Sequence, residues 1–169
     1  MAIEHDFFGI IDADAAGALT WADTLEVADQ SVEVELSAAN QARVSEHALD
    51  QAAAMLHALE PFDAKARDAL VAELSERGSV TTDYVDQQVQ VLGESLIDVL
   101  VHNSGDVPLD VLRSLQLVRV LLKPENDDDE ETFAEFEYSL SPDDTDDMIM
   151  VGFNIGGEVV ATDTREGWS

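Results

Sequence analysis

Cysteine is absent from this chain. No disulfide framework, thiolate nucleophile or cysteine-ligated zinc or iron–sulfur site is therefore available, and a reducing compartment suits it. Positive charge is nearly as scarce: Lys65 and Lys123 are the only lysines, and Lys and Arg together number 8. No apolar stretch approaches the roughly 18 residues that a membrane helix needs. The opening, Met1 to Gly9, carries His5 and Asp6 with no basic region ahead of an apolar run, so it does not read as a secretory signal. The expected location is the cytoplasm, with no membrane contact. Catalytic signatures are also lacking. There is no His-Glu-x-x-His zinc motif, nucleophile elbow, phosphate loop or dinucleotide fingerprint. His47 and His57 sit ten residues apart on one predicted helix, almost three turns from each other, too far to share a metal. The run His102-Asn103-Ser104-Gly105-Asp106 reads as the exit turn of a helix.

What the chain has instead is acid. Its 37 Asp and Glu give a formal net charge of −29 on 169 residues. Such a surface repels nucleic-acid phosphates and anionic lipid, and it draws in cations and basic protein patches. The charge does not imply disorder, because 46% of the residues are hydrophobic, whereas disordered chains pair high charge with low hydrophobicity. Residues 1–169 fit one domain, long enough to bury roughly 70% of the unfolded surface.

Apolar periodicity gives the class. Leu19, Trp21, Leu25 and Val27, then Val32, Val34 and Leu36 alternating with Glu33 and Glu35, predict an antiparallel hairpin joined across Ala28, Asp29 and Gln30. From Ser45 the spacing becomes helical through Leu49, Ala52, Ala53, Leu56 and Leu59, with Pro61 as the stop. Asp63 is placed to cap a second helix through Leu70 and Leu74, ending near Gly78. A longer third helix is expected on the stripe Val85, Val89, Leu92, Leu96 and Leu100, weakened at Gly93. A short fourth begins at Pro108. Period two returns in Leu117 to Leu122, in Phe136, Tyr138 and Leu140, and in Ile149, Val151, Phe153 and Ile155. A Gly156-Gly157 turn then brings Val160 onto the same face. The expectation is an α+β fold: an antiparallel sheet of about six strands, an N-terminal hairpin plus a C-terminal meander, with three to four helices on one face.

Two kinds of acidic cluster are candidate sites. Asp12, Asp14, Gly17 and Asp23 occupy positions 1, 3, 6 and 12 of a calcium-loop pattern, which needs carboxylates at spaced positions around a turn glycine. Position 5 is Ala16 and the last ligand is Asp rather than Glu, and the flanks read as strand. A polar turn before a strand accounts for the same residues. The runs containing Asp127, Asp128, Asp129 and Glu130, and Asp143, Asp144, Asp146 and Asp147, fall between predicted strands. They read as solvated loops that keep strand edges soluble, or as an acidic rim for a basic partner if strand order brings them together.

His5-Asp6-Phe7-Phe8-Gly9, Trp21, and Glu137-Tyr138-Ser139 followed by Thr145-Asp146, Val151, Phe153 and Gly157 form a pattern over most of the chain. It resembles a bacterial family catalogued only as a domain of unknown function, numbered two thousand and four. The resemblance implies a small cytoplasmic bacterial protein with no assigned activity and no catalytic residues to carry over. Function is thus expected to be non-enzymatic protein binding, as by an inhibitor, an immunity-like protein or an adaptor, with a basic protein as partner. The alternatives are a calcium-binding protein using Asp12, Asp14 and Asp23, and a halophile-type surface whose acidity serves solvation alone. Phe7, Phe8 and Trp21 read first as core and second as an apolar anchor.

Overall fold

The protein is represented by a computed structural model that describes residues 3–27, 30–76, 78–100, 105–140 and 148–165. Its strands are β1 (Ile3–His5), β2 (Gly9–Ala13), β3 (Leu19–Val27), β4 (Gln30–Ala38), β5 (Gln116–Leu122), β6 (Ala134–Ser139), β7 (Met148–Phe153) and β8 (Val159–Arg165). They form one eight-stranded sheet whose spatial order is the chain order. Every neighbouring pair is antiparallel except β4 and β5, which run parallel in the register Glu33↔Arg119 to Leu36↔Leu122. Parallel neighbours need a crossover. Here that single crossover holds all the α-helices of the described residues: α1 (Glu46–His57), α2 (Leu59–Glu73), α3 (Val80–Leu92), α4 (Leu96–Val99) and α5 (Val107–Ser114).

The α+β class and the helical block stand as the periodicity indicated. Two strands beyond the expected six come from the first residues, where β1 and β2 pair as a hairpin, Ile3↔Ile11 to His5↔Gly9. Their alternation is too short to announce them, and Ile10 points outward, 67% exposed. The predicted connection at Ala28 and Asp29 lies outside the described residues.

Helix ends follow local chemistry. Ser45 Oγ accepts from Ala48 N at 3.0 Å and starts α1; Ser79 Oγ accepts from Thr82 N at 3.1 Å and starts α3. Asp106 caps α5, with Pro108 in the first turn, where its missing N–H costs nothing. Two expectations change. The break between α1 and α2 falls at Ala58, not Pro61, because the first-turn N–H groups of a helix have no intrahelical partner and Pro61 fits there. The long third helix stops at Leu92, since Gly93 adopts φ 53° and a 3₁₀ turn leads into α4.

The core lies between the helices and one face of the sheet. Val32, Val34, Leu36, Val120, Leu122, Phe136, Tyr138, Ile149, Val151 and Phe153 are all buried. Phe62 of α2 meets Phe153 edge-on at 5.3 Å between ring centroids, and Phe136 meets Phe153 at 5.1 Å. The β7–β8 turn closes through Gly157 N donating to the Asn154 carbonyl at 2.9 Å, with Gly157 at φ 83°. Phe153 therefore pairs with Val159, and a register shift follows. Val160 is 38% exposed instead of sharing the inner face.

Candidate functional site

Alternation sends every second strand residue to the side of the sheet opposite the helices. Register then aligns one row across six strands: Thr24, Glu33, Arg119, Glu137, Met150 and Asp163 are successive cross-strand partners. Like charges set directly opposite destabilise a sheet, and Arg119 stands between the two glutamates. It donates to Glu137 through Nε at 2.8 Å and Nη2 at 2.9 Å, and to Glu35 through Nη1 at 3.2 Å. Glu137 is fully buried. Its two-pronged hydrogen bond, with Glu35 and Glu33 adding to it against the cost of burial, holds the Arg119 guanidinium above arginine's ordinary pKa. Beside this row, Lys123 Nζ donates to Glu135 at 2.7 Å.

The helix side has its own polar cluster. Asp63 was expected as a cap but lies inside α2. It accepts from the Tyr138 hydroxyl at 2.7 Å and from Arg67 Nε at 3.1 Å, while the Arg67 guanidinium sits 5.1 Å from the centre of the Tyr138 ring. Burial, and next the neighbouring Asp63 carboxylate, push the Tyr138 hydroxyl well above tyrosine's ordinary pKa, with Arg67 pulling the other way. A hydroxyl whose folded value is raised stabilises the fold fully below its unfolded value of about 10. That stabilisation is lost as the pH climbs through the folded value. Tyr138→Phe is expected to cost about 1.5–3 kcal/mol near neutral pH, the range for a hydrogen bond to a charged group. It should also flatten the fall in stability above about pH 10. Urea unfolding of both proteins at neutral and alkaline pH checks this; parallel declines would contradict it.

The calcium-loop residues are not gathered at one point. Asp12 pairs with Thr20, and Asp23 lies three residues further along β3, so the two project from opposite faces of the sheet. Asp14 Oδ1 instead accepts from Ala16 N and Ala18 N, both at 2.9 Å, which makes it the organiser of the β2–β3 turn. Among the described residues no group of three or more His, Asp or Glu is disposed to hold a metal ion.

Asp127, Asp128, Asp129 and Glu130 are exposed on the β5–β6 loop. Asp128 Oδ1 accepts from Glu130 N at 3.0 Å, and Asn126 and Asn154 tie the loop down through the Thr132 and Asp129 carbonyls. Asp143, Asp144, Asp146 and Asp147 lie outside the described residues. Their flanking anchors, Leu140 and Met148, are at the other end of β6 from Thr132. His102, Asn103 and Ser104 likewise lie outside them. His47 is exposed, and His57 closes α1 against the edge of Phe7 at 4.7 Å. Phe8 is buried and T-stacked on Trp21 at 4.8 Å, as a core reading requires, whereas Phe7 is only half-buried.

No family model, curated protein or solved structure matches this chain. Among the described residues no helix is long and apolar enough to cross a membrane.

Proposed function

We propose that the protein is a non-enzymatic binding module for a basic protein, in the manner of an inhibitor, an immunity-like protein or an adaptor. The observation that supports it is where the scarce cations go. Arg119 is held by Glu137 and Glu35, Lys123 by Glu135, Arg67 by Asp63, and Lys65 donates to the Gly157 carbonyl. Half of the 8 basic side chains are thus engaged by the fold itself. Glu4, Asp12, Glu26, Glu33, Asp50, Glu60, Asp163 and the β5–β6 loop meanwhile lie exposed. The outward field is predominantly negative, which favours encounter with a partner of the opposite sign.

Binding driven this way weakens with ionic strength. A fluorescent hexalysine peptide, followed by anisotropy, is expected to lose at least about tenfold in affinity between about 50 and 500 mM sodium chloride. Affinity that salt leaves unchanged would contradict the proposal. If the peptide does not bind while salt stabilises the fold, the acidity serves solvation.

A further inference from the structure

A cleft of about 370 Å³ opens where three segments distant in sequence converge. Phe7 reaches it from the β1–β2 turn, Leu25 and Glu26 from the end of β3, and Leu56, Leu59 and Glu60 from the break between α1 and α2. Leu56 and Leu59 are buried, Leu25 and Phe7 half-buried, and the two glutamates exposed. Apolar side chains thus form part of the lining together with the exposed imidazole of His57, and the two exposed carboxylates stand at the mouth. Among the described residues neither Glu26 nor Glu60 is in an ion pair.

We infer that this cleft receives a lysine or arginine side chain of the basic partner. The inference rests on the proposed function and gives it an anchor point. Lys and Arg combine an apolar stem, which lies along hydrophobic surface, with a cationic head that stays at the water boundary. The stem meets Phe7, Leu25, Leu56 and Leu59, and the head lies between Glu26 and Glu60. A purely apolar side chain would leave both carboxylates without a counter-charge. An anionic ligand would be repelled by them and by the net charge of −29, which also disfavours a second copy of this chain. An arginine or lysine seated in an apolar recess also supplies the local specificity that a diffuse field lacks.

The test compares hexalysine binding to the native chain, to Glu26→Gln/Glu60→Gln, and to Glu94→Gln/Asp98→Asn. The last pair removes the same charge after α3, a helix that packs against β8, away from the cleft. The rim variant is expected to bind about tenfold more weakly, about 1.4 kcal/mol, and the remote variant within about twofold of native. In the native chain the methyl signals of Leu25, Leu56 and Leu59 should shift on titration. Equal weakening in both variants, or unmoved leucine methyls alongside salt-sensitive binding, would overturn the cleft while leaving the proposed function standing. Failure of the native chain to bind the peptide at low salt would overturn both.

Discussion

Arg119→Ala is expected to lower the unfolding free energy by about 3 kcal/mol, the lower end of the range for removing one partner of a buried ion pair. The lower end applies because the Arg119 side chain is still 25% exposed, while that of Glu137 is 0% exposed. Without the guanidinium, the Glu137 carboxylate keeps its burial and loses two charge-assisted hydrogen bonds at 2.8 and 2.9 Å. The loss has two parts, desolvation that the guanidinium no longer offsets and attraction removed. Replacing both residues separates them. Arg119→Met/Glu137→Leu removes the buried charge together with its partner, so it should recover most of the loss, as apolar substitutes for buried pairs do. Glu35, 43% exposed and reaching Arg119 at 3.2 Å, should matter far less, with Glu35→Gln within about 1 kcal/mol of native. Chemical unfolding of the three variants checks the order. A single Arg119 variant as stable as the native chain would mean that water or another group already satisfies Glu137.

Phe153→Ala should cost about 3–5 kcal/mol, the range for emptying a buried phenylalanine site. Phe153 is fully buried and contacts Phe62 and Phe136 edge-on. The cavity would lie where α2 rests on β6 and β7, and neither wall can collapse easily. The Gly157 turn is already close, since a Cβ there would come within 3.1 Å of the Phe62 ring. For a chain of this size the loss corresponds to a drop in Tm on the order of 10 °C. Thermal unfolding by circular dichroism checks it. A loss under about 1 kcal/mol would show that the helix layer does not depend on this aromatic contact.

Much of this architecture was legible in the residues, and the rest failed for identifiable reasons. Leu19 to Val27 and Val32 to Leu36 announced their hairpin because one face is buried and the other carries glutamates. Phe136 to Leu140 and Ile149 to Phe153 did so by apolar alternation alone, since Glu137 and Gly152 on the other face are buried as well. The parallel join of β4 to β5 has no periodic signature, because alternation fixes which face a residue takes and not which strand lies beside it. Arg119 is inconspicuous inside the apolar run Leu117 to Leu122. A lone cation in a strand, with Glu35 and Glu137 on other strands at positions that alternation sends to one face, is the signal that exposes it. Asp63 looked like a cap because it follows a proline, and only its partner Tyr138, 75 residues away, shows its use. The cleft between Phe7, Leu25 and Leu59 has no periodic signature, since its three segments are brought together only by tertiary packing. The calcium pattern at Asp12, Asp14 and Asp23 matched in spacing alone. In an extended hairpin that spacing places the carboxylates on opposite faces.

The parallel join also sets the order of events in folding. Each antiparallel hairpin closes a short loop, but the β4–β5 pairing brings together side chains as far apart as Glu35 and Arg119, 84 residues along the chain. Contacts of that separation bear the entropy of closing the whole helical excursion before they return any stabilisation. The two halves of the sheet can therefore form as local meanders and dock late. Arg119, which touches Glu35 in one half and Glu137 in the other, acts as a latch on that final step. The instability of Arg119→Ala should then appear mainly as faster unfolding rather than slower folding.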